Sequence, residues 1–154
     1  MKRLPLPILG LALLLGCGGA NNNVVPPEDL VAGTWRFNYT NMGGSLQGLA
    51  VTCTPVTLDF SITQGLFTFT GVQVGTGTLT CTTSGAVVTN RAITQETITN
   101  GRIDGRTIVF RLGQIPGSHT AQVDRNTIIG TAQWVINVNN VTLVLNGQFS
   151  AARL

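Results

Sequence analysis

The sequence predicts an all-β fold: an antiparallel up-and-down barrel of about eight strands, behind a signal peptide and a tether. Three observations carry that expectation. All 22 threonines lie from Thr34 onward, in a region where Val, Ile and Phe recur with a period of two. Turn-forming pairs such as Asp104-Gly105, Pro116-Gly117 and Asn139-Asn140 separate the alternating runs. No stretch beyond the leader sustains a 3.6-residue period. Short antiparallel strands joined by short turns close into a barrel or stack as a sandwich.

The strands follow in order. Gly33–Thr40 sets Trp35, Phe37 and Tyr39 on one face. Val56, Leu58, Phe60 and Ile62 alternate with Thr57, Asp59, Ser61 and Thr63. Gln64-Gly65 turns into Leu66–Val74, where Phe67 and Phe69 are expected on a shared face. A strand around Thr78–Thr82 carries Cys81. From Ser84 to Asn100 the pattern is ambiguous: Ala86–Val88 and Ile93–Ile98 read as short strands or as an irregular loop. Asp104-Gly105 is a two-residue hairpin signal between Arg102-Ile103 and Thr107–Leu112. Thr120–Val123, Thr127–Ile136 and Val141–Arg153 complete the series, with Asp124-Arg125-Asn126 as a turn.

Residues 1–29 differ in character. Met1-Lys2-Arg3 precedes the apolar run Leu4–Leu15, which is too short for a spanning helix (about 20 residues) and contains Pro5 and Pro7. Leu14-Leu15-Gly16-Cys17 resembles the bacterial lipobox, which implies cleavage after residue 16 and a diacylglyceryl group on Cys17, with acylation of the new amine. Several acyl chains anchor a protein stably where one does not. An ordinary signal peptide cut near Gly19-Ala20 is the alternative. By resemblance to the enterobacterial lipoprotein sorting rule, in which Asp at this position favours retention, Gly18 implies the outer membrane of a bacterial envelope. Residues 17–29, with Asn21-Asn22-Asn23 and Pro26-Pro27, read as a tether, and 30–154 as the domain.

Charge and cysteine count change once the leader is set aside. The formal charge of +3 falls to +1 from Cys17 onward, with seven arginines, six acids and no lysine. So small an excess on an exported chain argues against nucleic acid as a partner. With Cys17 lipidated, Cys53 and Cys81 remain as a pair, and an oxidising compartment favours a bridge between them, free thiols being the alternative. Two isolated cysteines with no histidine nearby lack the ligand count of a metal site, and a redox pair would be Cys-x-x-Cys.

Gly33-Thr34-Trp35 at the first strand is similar to the Gly-x-Trp signature of the calycins, the lipocalin and avidin relatives. The resemblance implies a barrel whose Trp35 plugs one end while an Arg near the end of the last strand, here Arg153, packs across it. Parity agrees, because Leu143, Leu145, Phe149 and Arg153 fall on one strand face. The chain is shorter than true lipocalins, with no evident C-terminal helix, and looks closer to small lipocalin-like domains of bacterial lipoproteins.

The polar residues form no catalytic constellation. His119, between Ser118 and Thr120, reads as a solvated loop residue, and no third group is placed to orient it. Asp104 and Asp124 fit turns, Asp59 faces outward and Glu96 sits in the ambiguous segment. Arg102, Arg106 and Arg111 read as a solvated hairpin face, with a weak anion patch as the alternative. No enzyme activity, cofactor or metal is expected.

Two functions remain. In the first, the barrel mouth holds a small apolar or amphipathic ligand against Phe37, Tyr39, Phe60, Phe69, Phe110 and Trp134, with Gly130 and Ala132 leaving room. The same aromatics serve equally as ordinary core. In the second, the barrel is filled, and its outer surface meets an unidentified protein partner, as a cell-envelope structural or interaction module or a protease-inhibitor-like one.

Overall fold

The computed structural model describes residues 30–154, so the readings for Cys17 and the tether lie outside the described residues. Eleven strands follow in order: β1 (Gly33–Leu46), β2 (Leu49–Cys53), β3 (Val56–Gln64), β4 (Thr68–Val74), β5 (Thr76–Thr83), β6 (Ala86–Thr94), β7 (Thr97–Asp104), β8 (Thr107–Leu112), β9 (Gly117–Asp124), β10 (Thr127–Val138) and β11 (Val141–Arg153). Eight of them, β1-β3-β4-β7-β8-β9-β10-β11, form a ring that β11 closes onto β1. Every pairing in the ring is antiparallel. The fold is a closed barrel rather than a sandwich.

The three additional strands are continuations of barrel strands past sharp bends. β2 and β3 are one run interrupted at Thr54-Pro55, where proline has no N–H for the ladder. β4 and β5 are one run bent at Gly75, whose φ is +89°. β6 and β7 are one run bent at Gln95-Glu96, Gln95 having φ +57°. Beyond the bends the chain forms an apron in the order β1-β2-β5-β6 at one end of the barrel. Counted as continuous runs, the chain makes the eight strands its periodicity predicts.

Gln73 repairs the backbone at the last bend. Its Nε2 donates to the Ile93 carbonyl at 2.9 Å, and its Oε1 accepts from the Glu96 N–H at 2.9 Å. The Gln73 N–H itself donates to the Glu96 carbonyl at 2.8 Å. A bend that removes ladder bonds needs such substitutes, because buried backbone groups are otherwise left unpaired. The Cys53–Cys81 disulfide links directly opposed residues of β2 and β5 and so fastens the apron.

Several local expectations change. The segment from Ser84 to Asn100 takes the strand alternative, occupied by β6 and the start of β7 with bulges and a bend between them, after a tight Ser84-Gly85 turn at positive φ. The hairpin at Asp104 is displaced by one residue: Asp104 pairs with Thr107, and the loop is Gly105-Arg106 with glycine first, as a type II′ turn requires. Phe67 lies before β4 and is exposed, so it does not share the buried face of Phe69. The ninth strand begins at Gly117, three residues earlier than expected, and so takes in His119.

Candidate functional site

Trp35 and Arg153 close one end of the barrel. They are paired across β1 and β11, and the Arg153 guanidinium carbon lies 4.7 Å from the centre of the indole ring. The Trp35 Nε1–H donates to the Val31 carbonyl at 2.9 Å. Arg153 donates through Nη1 to the Ala32 carbonyl and through Nη2 to the Leu30 carbonyl at 3.2 Å. The Val31 N–H in turn donates to Gln64 Oε1 at 2.7 Å. Two terminal segments and β3 are thus bound together by one arginine, one indole and one amide. Replacing Arg153 with Ala is expected to lower stability by about 2–3 kcal/mol, through the stacking and the two charge-assisted bonds. Arg91→Ala, on the exposed side of β6, is expected to change it by less than about 0.5 kcal/mol. Thermal or urea unfolding compares the two; equal losses would remove the closing role of Arg153.

The six residues expected around a ligand meet one another instead. Phe37, Tyr39, Phe60, Phe69, Phe110 and Trp134 are each no more than 2% exposed. Phe37 packs edge-on against Phe60 at 5.4 Å and against Phe110 at 6.1 Å, and lies over Phe149 at 5.6 Å. Tyr39 packs on Trp134 at 4.7 Å, and Phe69 meets Phe110 edge-on at 5.8 Å. Gly130 leaves no room. A Cβ there would stand 2.3 Å from the Thr120 carbonyl oxygen and 2.5 Å from the Ala121 Cβ, so β9 already occupies the space.

His119 belongs to this interior and is not a solvated loop residue. It is 1% exposed on β9, opposite Phe110 on β8. Its ring stacks on Phe110 at 4.4 Å with 13° between planes, and Nε2 accepts from the Trp134 Nε1–H at 3.2 Å. That bond puts the proton of the neutral ring on Nδ1. Burial pulls its pKa down to about 3, and the nearby Phe110 carbonyl offsets this only in part without closing a hydrogen bond to Nδ1. Tyr39 Oη is also buried without a hydrogen-bond partner, and burial, then the Glu96 charge, holds its phenol above the usual range. Parity was the available signal for His119: it shares the inward parity of Ala121 and Val123.

Glu96 is 1% exposed, and both its oxygens accept from the Gln114 N–H at 3.1 Å. It anchors the β8–β9 connection to the bend before β7. No three His, Cys, Asp or Glu side chains come together as a metal site among the described residues.

The outer wall carries the remaining geometry. Of the three clustered arginines, Arg106 leaves the group and pairs with Asp124 at 2.8 Å. Arg102 and Arg111 line a cleft of about 440 Å³ with Asn100, Val109, Ser118 and Thr120, above the Phe110–His119 pair. Two irregularities open it. In β7, Asn100 and Gly101 both stand opposite the single residue Phe110, because Thr99 pairs with Arg111 and Arg102 with Val109. Between β8 and β9 the ladder ends at Phe110–His119, so Arg111 and Ser118 do not pair with each other. The bulge is fixed by Gly101, where a Cβ would stand 2.2 Å from the Phe69 carbonyl oxygen. Asn100 beside it has φ +52°. Bulges of this kind re-aim side chains. A second cleft of about 440 Å³, lined by Thr40, Ile129, Gly130, Thr131, Gln148, Phe149 and Ser150, has no charged side chain.

These features define a small closed antiparallel β-barrel with an apolar, packed interior and a wall on which polar side chains are interspersed with exposed residues such as Val72, Val109 and Ile129. The architecture is consistent with a calycin-like barrel. No protein-family model matches the chain, and no curated protein matches it.

Proposed function

We propose that this is an exported, lipid-anchored β-barrel module of a bacterial cell envelope that acts through its outer wall, in a structural or protein-interaction role. The observation that carries this reading is the packing of the interior: the aromatics that would have lined a ligand cavity fill it. The wall is also on the wrong side for a barrel that spans a lipid bilayer, which is apolar outside and polar within. Here Ile108, Phe110 and Leu112 of β8 face inward and are buried, while Thr107, Val109 and Arg111 alternate with them. Anchoring therefore rests on Cys17, with the acyl chains of its lipobox-like context supplying the membrane affinity. No catalytic step is assigned to any residue.

Two measurements test this. Wild-type chain is expected to partition with membranes and into detergent, whereas Cys17→Ser is expected to appear as an unlipidated soluble or uncleaved product; unchanged attachment of the variant would overturn the anchor. A fluorescent fatty-acid probe titrated into the purified protein is expected to show no saturable binding. Saturable one-to-one binding, competed by unlabelled fatty acid, would restore the carrier reading.

A further inference from the structure

We propose that the cleft at the β7 bulge is a binding site for a phosphate monoester group, held by Arg102 and Arg111 with hydrogen bonds from Asn100, Ser118 and Thr120. This extends the outer-wall reading by naming a chemistry for that wall, and it does not depend on how the chain is anchored.

The charge pattern comes first. Two guanidinium groups share one cleft, and no acid among the described residues pairs with either. The acids are engaged elsewhere: Asp59 with Arg36, Asp124 with Arg106, and Glu96 in the interior with the Gln114 N–H. Among the described residues Asp104 remains, two positions from Arg102 on the outward face of β7 beside the Gly105-Arg106 loop, and no salt bridge joins it to Arg102 or Arg111. Like charges in one cleft repel, and an anion between them reverses the sign of that interaction.

The donor set then selects the anion. Each guanidinium is a planar fork suited to two oxygens. Two hydroxyls and one amide add donors beyond the four that a carboxylate's two oxygens would use comfortably. A tetrahedral phosphate monoester presents three terminal oxygens and carries close to two negative charges at neutral pH, matching two arginines. Val109, exposed on the outward face of β8 and part of the cleft lining, offers apolar contact for the first carbons of the esterified group.

The backbone also places these side chains deliberately. Without the bulge, Asn100 would point inward by strict alternation from Ile98. The extra residue turns Thr99 and Asn100 outward in succession and returns Gly101 and Ile103 to the interior. The positive φ of Asn100 carries a steric cost that a regular strand would avoid.

The site is tested on the full chain in detergent, at low salt because exposed ion pairs are screened. Glycerol 3-phosphate titrated by calorimetry is expected to bind saturably at one site, and acetate is expected to bind at least tenfold more weakly. The Arg102→Gln/Arg111→Gln double variant is expected to weaken glycerol 3-phosphate at least tenfold with an unchanged unfolding midpoint, while Arg91→Gln leaves binding unchanged. Absence of saturable binding, or binding that survives the double variant, would overturn the site. A vesicle arm separates a soluble ester from a lipid headgroup. The Cys17→Ser chain is floated with phosphatidylcholine vesicles with and without phosphatidic acid. Arginine-dependent flotation only with phosphatidic acid assigns the headgroup, and glycerol 3-phosphate binding without flotation assigns a soluble ester. A saturating fatty-acid probe would overturn the filled-lumen reading while leaving this binding in place, so the two failures are distinguishable.

Discussion

Lowering the pH from 7 to 4 is expected to remove about 3 kcal/mol of stability through His119 alone, and on the order of 4–5 kcal/mol once the pH is below 3. The cause is burial. The folded imidazole is held neutral with its pKa near 3, against 6.5 for the free side chain. Between those values the unfolded chain takes up a proton that the folded chain refuses. The contribution is therefore complete above about pH 6.5 and is lost progressively as the pH falls toward 3. The surroundings favour a charged ring only weakly, through the Phe110 carbonyl: Phe110, Phe149 and Tyr39 pack around it, and its Nε2 lone pair is already used by the Trp134 Nε1–H. His119→Gln retains an acceptor for Trp134 and does not titrate. Urea unfolding at pH 7 and pH 4 is expected to show a large shift for the wild type and a much smaller one for the variant. The Arg36–Asp59 pair moves in the same direction, because Asp59 is held below its usual pKa by the hydrogen bond from Arg36, but the pair is solvent-exposed. Asp59→Asn separates the two effects. Equal acid sensitivity in His119→Gln and wild type would show that the ring is not held neutral by burial.

Phe149→Ala is expected to cost about 3–5 kcal/mol, the usual range for removing a buried phenyl ring. Its ring lies among Phe37 at 5.6 Å, Tyr39 at 5.5 Å, His119 at 5.6 Å and Phe110 at 5.9 Å. Rigid neighbours held on three different strands, β1, β8 and β9, have little freedom to collapse into the gap. A dry apolar cavity on the order of 100–150 Å³ admits benzene or xenon. Benzene is therefore expected to raise the unfolding midpoint of the variant and leave that of the wild type unchanged. A rise in both would show that the wild-type interior already has room.

The barrel was legible because its strands repeat one rule. Trp35, Phe37 and Tyr39, then Leu143, Leu145 and Phe149, keep the same parity from end to end and are all buried. The β6–β7 region was not legible, for a physical reason. The bulge at Val88, the bend at Gln95-Glu96 and the bulge at Asn100-Gly101 each disturb the alternation, so no single parity runs through Ser84–Asn100. The bends at Thr54-Pro55 and Gly75 likewise divide long strands without ending them. His119 was misread because a lone histidine beside Ser and Thr resembles a loop by composition, although its parity with Ala121 and Val123 is that of core. The arginine cluster was visible as charge, but which members pair was not. Arg106 finds Asp124 only because β8 and β9 pair side by side, and that leaves Arg102 and Arg111 facing the cleft.

Native mass spectrometry of the protein extracted from its own cells tests the filled interior most directly. The expected spectrum contains the chain with its N-terminal lipid and no further apolar molecule bound in stoichiometric amount. A stoichiometric apolar small molecule that stays with the folded chain, and leaves when it is unfolded, would contradict it.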